Sequence, residues 1–246
     1  MKKKVELHTH TLYSHDSLLN KYLYLIMLKL RKINIVAITD HNEIKGAIIF
    51  KKFLEKYNIE VIIGEEIFTD KGEIIGLFIT ERIEAGLTPR STMEEIKKQG
   101  GVVYIPHPYD EKRYKTVLKE EEIKNNIDLI DVIEVHNGRN IKPEYSERQL
   151  KIALKYKKIK SVGSDAHTFI ELGRNYNIMD EFCNKEEFLI SLNTASNIQK
   201  PCLKIAHKIT KITRVVKMLR RGQFDELSRT INRRIRKRKQ EVSKEN

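Results

Sequence analysis

Apolar positions gather into short runs rich in β-branched residues: Val5–Leu7, Ile33–Thr39, Val61–Ile67, Ile74–Thr80, Val102–Ile105, Val132–Val135 and Lys160–Val162. Several are nearly continuous, as expected of strands buried on both faces of a parallel sheet. Most of the stretches between them carry a helical rhythm instead. Leu18, Leu19, Tyr22, Leu25, Ile26 and Leu30 recur at helical spacing, with Ser17 as a candidate cap, and Ile48, Ile49, Phe53, Leu54 and Tyr57 repeat the pattern. Ser91-Thr92-Met93-Glu94-Glu95 resembles a helix start and Gln99-Gly100-Gly101 a stop, while Tyr145, Leu150, Ile152, Ala153, Leu154 and Tyr156 mark another helix. Strand alternating with helix implies βα units with right-handed crossovers. Seven strands in about 200 residues suit a closed or distorted parallel barrel, with a doubly wound open sheet as the alternative.

The pattern changes near Lys200-Pro201, taken as the boundary between a body of residues 1–200 and a tail of residues 201–246. Ile205, Ile209, Ile212, Val216 and Leu219 form one stripe of an amphipathic helix, and Lys204, Lys208, Lys211, Arg214 and Lys217 fill its other faces. Such a helix can dock on its own domain, lie on an anionic membrane or meet nucleic acid. The run Arg233-Arg234-Ile235-Arg236-Lys237-Arg238-Lys239 follows, and it would attract phosphate backbones without reading sequence.

Charge sharpens this division. The 246-residue chain has a net charge of +13, and residues 201–246 hold 15 Lys plus Arg against 4 Asp plus Glu. The body is therefore nearly neutral and the basicity belongs to the tail. Two distant cysteines, Cys183 and Cys202, match no zinc spacing and suit a reducing compartment. No secretion signal is evident, since Val5-Glu6-Leu7-His8 follows the basic start, and no apolar run reaches the ~20 residues of a membrane span. A cytoplasmic protein is expected.

Six of the eight histidines fall just after predicted strands. His8 and His10 follow the first strand, with His15 and Asp16 close behind; His41 ends the second beside Asp40; His107 ends the fifth; Asp165 and His167 follow the last. Glu66 ends the third strand. The carboxyl rim of a parallel sheet is where sites form, because its loops vary without disturbing the strands. Imidazole with carboxylate suits zinc, manganese or iron, and the absence of cysteine argues against a closed structural zinc site. Asn137 and Arg139 end the sixth strand on the same rim, where an arginine could fork onto phosphate oxygens. Lys112, Arg113 and Arg174 are lesser phosphate candidates, while His136 and His207 stand outside the pattern.

These residues resemble the PHP family (polymerase and histidinol phosphatase). The likeness rests on His8-Thr9-His10, Thr39-Asp40-His41-Asn42, Gly64-Glu65-Glu66, Pro106-His107-Pro108 and Gly163-Ser164-Asp165-Ala166-His167, in family order across residues 1 to about 185. The resemblance implies a distorted (β/α)7 barrel with two or three divalent ions (Mn²⁺, Zn²⁺ or Fe²⁺) at its carboxyl rim. It implies that His8, His10, Glu66 and Asp165 hold one ion, that Glu66 bridges to a second bound by His107, and that His15, His41 and His167 hold a third. Many relatives carry a histidine on the fourth strand, where this chain has Glu73, a ligand that would favour harder ions.

Such a site would hydrolyse a phosphate ester with hydroxide derived from metal-bound water. Asp16 and Asp40 would orient imidazoles or move protons, unless they merely cap loops. The expected substrate is a small phosphomonoester or nucleotide. The alternatives are cleavage at nucleic-acid ends, with the basic tail making contact, and a non-catalytic metal- or nucleic-acid-binding module.

Overall fold

A computed structural model of the chain describes residues 1–113, 116–225 and 227–229, the Lys112 side chain excepted. Its strands are β1 (Lys2–Glu6), β2 (Ile35–Ile38), β3 (Glu60–Thr69), β4 (Gly72–Leu77), β5 (Val102–Ile105), β6 (Val132–Asn137), β7 (Ile159–Gly163), β8 (Tyr176–Asp180) and β9 (Ser196–Ile198). Its helices are α1 (Lys21–Arg31), α2 (Lys45–Leu54), α3 (Pro89–Lys98), α4 (Glu120–Asn125), α5 (Pro143–Lys155), α6 (Lys185–Asn193) and α7 (Lys204–Arg220). The polybasic run at 233–239 lies outside the described residues.

The nine strands form one sheet ordered β7-β6-β5-β4-β3-β2-β1-β8-β9. It curls into a nearly closed barrel, as expected, by bringing β7 back to β1. Thr9 bridges Ala166 in parallel, and the Asn177 side chain joins the two strands by accepting from Val162 N and donating to Val5 O and Val162 O. One amide side chain thus serves both strands where they lack a ladder between them.

Period-two alternation sorts the core. Ile35, Ala37, Ile62, Ile75, Leu77, Val102, Tyr104 and Val132 pack together with Phe182, Phe188 and Leu192 of the β8–α6 region. The residues between them, Val36, Ile38 and Val61, pack instead with Phe50 and Leu54 of α2. Val103, Ile105 and Ile133 join a third cluster with Met93 and Ile96 of α3. Strands buried on both faces account for the continuous apolar runs read from the sequence.

Three expectations change. The strand at 72–77 is antiparallel to both β3 and β5, so the barrel is not a uniform set of parallel βα units. Only Asp70 and Lys71 connect β3 to β4, which forces a hairpin rather than a crossover. Next, α1 is capped by Asn20, whose side chain accepts from Tyr22 N and Leu23 N, while Ser17 accepts from Leu19 N. Finally, α3 begins at Pro89 under a Thr88 cap, before the Ser91 start suggested by its sequence.

Helix α7 forms where its periodicity indicates, but its apolar stripe does not face the body. Ala206, Thr210, Thr213 and Lys217 are its buried residues, whereas Ile205, Ile212 and Leu219 are exposed. Among the described residues no helix is long and apolar enough to cross a membrane.

Candidate metal centre

The strand face that fills the core also aims the acids. Along β3, Glu66 follows Ile62 and Gly64 on one face, and along β6 Glu134 follows Val132. Glu73 precedes Ile75 and Leu77 on the corresponding face of β4. Because β4 runs antiparallel, its amino end meets the carboxyl end of β3, which brings Glu73 to the rim. His107 and Asp165 adopt left-handed backbone conformations, with φ of 32° and 51°. Non-glycine residues hold such geometry only where surrounding contacts enforce it, and here it turns both side chains into the rim.

Glu66 lies at the centre. Its Oε1 is 3.0 Å from His107 Nε2 and 3.5 Å from His8 Nε2, while its Oε2 is 3.1 Å from His41 Nδ1 and 3.3 Å from His10 Nε2. Asp165 Oδ1 approaches His10 Nε2 at 3.4 Å and His167 Nδ1 at 3.2 Å. Glu73 lies 3.5 Å from His107 and 3.6 Å from His41. Asp16 Oδ1 is 3.2 Å from His167 Nε2 and 3.6 Å from His41 Nε2, so this aspartate stands among the imidazoles rather than behind them. His15 joins that group from a more exposed position. All nine residues expected as ligands therefore gather on one rim, with Asp16 as a tenth.

The donor set fits divalent cations. Five groups of three residues, including His8–His10–Glu66, His8–His107–Asp165, His41–Glu66–Glu73, His10–His41–His167 and His15–Asp16–His41, place their ligand atoms within 4.8 Å of one another. His8 Nε2, His10 Nε2, Asp16 Oδ1, Glu66 Oε2, Glu73 Oε2, His107 Nδ1 and Asp165 Oδ1 are buried yet make no well-formed hydrogen bond. Buried polar atoms are normally satisfied, and a set left without well-formed hydrogen bonds on one rim is what divalent cations would need.

The protein orients these donors from behind. Glu134 accepts from His8 Nδ1 at 3.1 Å, Tyr104 OH at 3.0 Å, His107 N at 2.7 Å and Asn137 Nδ2 at 2.9 Å. Burial raises its carboxyl pKa, but His8 and its hydrogen bonds outweigh burial and leave it below the usual carboxylate value. An ionised Glu134 can only accept, so His8 carries its hydrogen on Nδ1 and turns Nε2 to the centre. This acid was missed in the sequence because it follows no strand; its one signal is a charge within the apolar run Val132–Val135.

Asp40, expected to be catalytic or orienting, accepts from Thr11 N, Thr11 Oγ1 and Ser14 Oγ. Ser14 in turn faces His10 Nδ1 at 3.1 Å, so Asp40 connects to the cluster through one hydroxyl. A Cβ on Gly46 would sit 2.1 Å from Asp40 Oδ2, which makes glycine necessary there. Arg139 pairs with Glu171 at 3.3 Å and donates to Thr210 on α7 at 2.9 Å, so its fork is already engaged. Arg113 instead reaches Asp165 directly and Asp110 at 3.2 Å. Asn137 also contacts Asp165 at 3.3 Å. Arg174 donates to Pro201 O, away from the cluster. His136 bonds Ser146 and Lys200 O, and His207 faces Cys202 and Arg139, so both stay outside the donor group.

Charge in the cluster is mutual. Burial pulls His8 down, but Asp165, Glu66 and Glu134 outweigh it and hold its pKa well above the ordinary value. Burial and the neighbouring His167 depress His10 to about 4. Burial, then Glu66, pushes Glu73 well above the usual carboxylate range. Histidines and acids this crowded cannot all hold their ordinary charge, and bound cations would relieve the repulsion among the acids.

A nearly closed α/β barrel with a histidine–carboxylate rim is the class this geometry defines. The sequence model of the PHP domain matches residues 6–198, and the chain belongs to that family. Two uncharacterized proteins of Methanocaldococcus jannaschii are similar in sequence. One is 37% identical over 70% of this chain and 69% of its own length, the other 46% identical over 43% and 68%. Solved structures share the fold. PsfC from Pseudomonas syringae superposes with a TM-score of 0.61 at 14% identity, over 88% of this chain and 98% of that one. A protein described as a metal-dependent phosphoesterase, from Bifidobacterium adolescentis, gives 0.59 at 17% identity over 76% and 95%. An amidohydrolase from Chromobacterium violaceum, with bound sulfate and no metal, gives 0.57 at 15% identity over 83% and 95%.

Proposed function

We propose that this protein hydrolyses phosphate esters at a two- or three-ion centre on the barrel rim, acting on a small phosphomonoester or nucleotide. The observation that carries the reading is Glu66, whose two oxygens face four imidazoles at 3.0–3.5 Å, the arrangement a bridging carboxylate needs. His8, His10, Glu66 and Asp165 would hold one ion, His107 and Glu73 would join Glu66 on a second, and His15, His41 and His167 would hold a third, with Asp16 beside them. When bound, such ions lower the pKa of a water toward neutrality and neutralise a phosphoryl group.

The chain's own residues supply orientation. Glu134 fixes the His8 ring, the Ser14–Asp40 pair fixes His10, and Asp165 O accepts from His167 Nδ1 at 2.8 Å. Arg113 lies nearest the acids and is the arginine we assign to phosphate oxygens, whereas Arg139 holds the 167–171 segment through Glu171, which accepts from His167 N and Thr168 N. The carboxylate Glu73 favours Mn²⁺ or Fe²⁺ over softer partners.

The test is phosphate release from a panel of sugar phosphates, amino-alcohol phosphates, nucleotides and a 5′-phosphorylated oligonucleotide. Chelator-stripped protein is assayed before and after Mn²⁺, Zn²⁺ or Fe²⁺ is restored. Release that requires metal and vanishes in Glu66→Gln is expected. Tight metal binding without cleavage of any ester would make the chain a binding module.

A further inference from the structure

Helix α7 is amphipathic in the opposite sense from a helix that docks by its apolar side. Its inner face is small and polar. Thr210 accepts from Arg139, and Lys217 Nζ donates to Leu12 O at 2.6 Å and also to Ser14 O. Arg214 Nε lies 3.6 Å from Asp16, so the same helix touches the loop that carries His15 and Asp16.

The outer face is apolar. Ile205, Ile212 and Leu219 are 59%, 64% and 47% exposed, and Phe224, just past the helix, is 64% exposed. Residues seven apart share one side of a helix, so the first three make a ridge about 21 Å long. Exposed Lys204, Lys208, Lys211 and Arg220 flank it, and no acidic residue occurs between positions 201 and 224. Water is a poor partner for such a ridge, and the buried face shows that folding does not require it to be covered by the barrel.

Charge decides among possible occupants. Ile205, Ile209, Ile212, Val216 and Leu219 have the alternating four- and three-residue spacing of a coiled-coil seam. A second copy on that seam would bring Lys208, Lys211 and Arg220 against their own kind, with no acid on the helix itself to answer them. Nucleic acid would use the lysines and leave the ridge wet. An anionic bilayer uses both, burying the apolar ridge at the headgroup boundary while the flanking lysines meet lipid phosphates.

We propose that the outer face of α7 is a docking surface for anionic lipid bilayers. The inner contacts through Arg139, Arg214 and Lys217 then carry the metal rim to the membrane surface with it. This inference does not depend on the chemistry assigned to the rim.

The experiment uses the full chain with phosphatidylcholine vesicles, alone or containing about a third phosphatidylglycerol. Co-sedimentation with the anionic vesicles is expected, weakening as salt rises. The triple variant Ile205→Ser, Ile212→Ser, Leu219→Ser keeps every charge and alters only exposed side chains; it should lose about tenfold in partitioning while its circular dichroism stays unchanged. The chain has no tryptophan, so Ile212→Trp gives a single reporter whose emission should shift to the blue on anionic vesicles alone. The proposal is overturned if wild type ignores anionic vesicles, or if the triple variant binds them as well as wild type. It is equally overturned if the ridge proves to mediate a dimer, lost in the triple variant, with no shift of the reporter on lipid.

Discussion

His8 shows how a single side chain is oriented by its neighbours. Glu134 holds its Nδ1, which leaves Nε2 free and aimed between Glu66 and Asp165. Glu134→Gln should keep the fold but weaken metal binding by about 10–100-fold, because an amide no longer selects that tautomer. Calorimetric titration of stripped protein with Mn²⁺ would check this, and unchanged affinity would show that Glu134 does not set the His8 tautomer. Glu6 is a second buried acid, bonded by Ser164 N and Oγ, and burial raises its pKa to about 8 despite those bonds. Near pH 4 both folded and unfolded chains hold this proton. As pH rises toward about 8 the unfolded chain loses it first, so the Glu6 contribution to stability falls through that window and then levels. Glu6→Gln should therefore flatten the decline in urea midpoint between pH 5 and 8 relative to wild type; parallel profiles would contradict the assignment. Histidines were legible in the sequence because strand ends expose them as a pattern. Glu134 and Glu6 were not, because their role depends on neighbours 126 and 158 residues away.

Elements were legible where one pattern had one cause. Continuous apolar runs gave most strands their place, since burial on both faces leaves no alternation to misread. The direction of β4 was not available from its residues, as apolar content does not distinguish parallel from antiparallel pairing; only the two-residue link Asp70-Lys71 hinted at the hairpin. Strands β8 and β9 were missed because they are short and half polar, as in Tyr176–Asp180 and Ser196–Ile198. On α7 the helical periodicity was legible, but which side is buried was not, because it depends on the polar partners that Thr210 and Lys217 find on the barrel rim. Strand β7 offers a test at this scale. A Cβ on Gly163 would meet Glu134 Oε1 at 2.5 Å and His8 Cβ at 2.6 Å. Gly163→Ala should cost about 1–3 kcal/mol by urea denaturation and also lower metal affinity, since both His8 and Glu134 must shift. A variant as stable as wild type would mean that β7 and β1 can separate there at little cost.

For the whole molecule, the rim and the fold are linked. Glu66, Glu73 and Asp165 are buried together, so cations that bind the folded chain stabilise it by mass action, by about 2.7 kcal/mol at a hundredfold excess over Kd. Chelation should lower the thermal midpoint, and restoring Mn²⁺ should return it; a midpoint indifferent to both would mean that no cation belongs in the cluster. Glu66 is assigned to bridge ions on one rim, and metal stoichiometry tests that assignment most directly. Stripped wild-type protein and Glu66→Gln are equilibrated with Mn²⁺, desalted, and their metal content measured by inductively coupled plasma mass spectrometry. Two or three equivalents on wild type, with at least one lost in Glu66→Gln, is the expected result. One equivalent or none on wild type, or the same content in both, would contradict it.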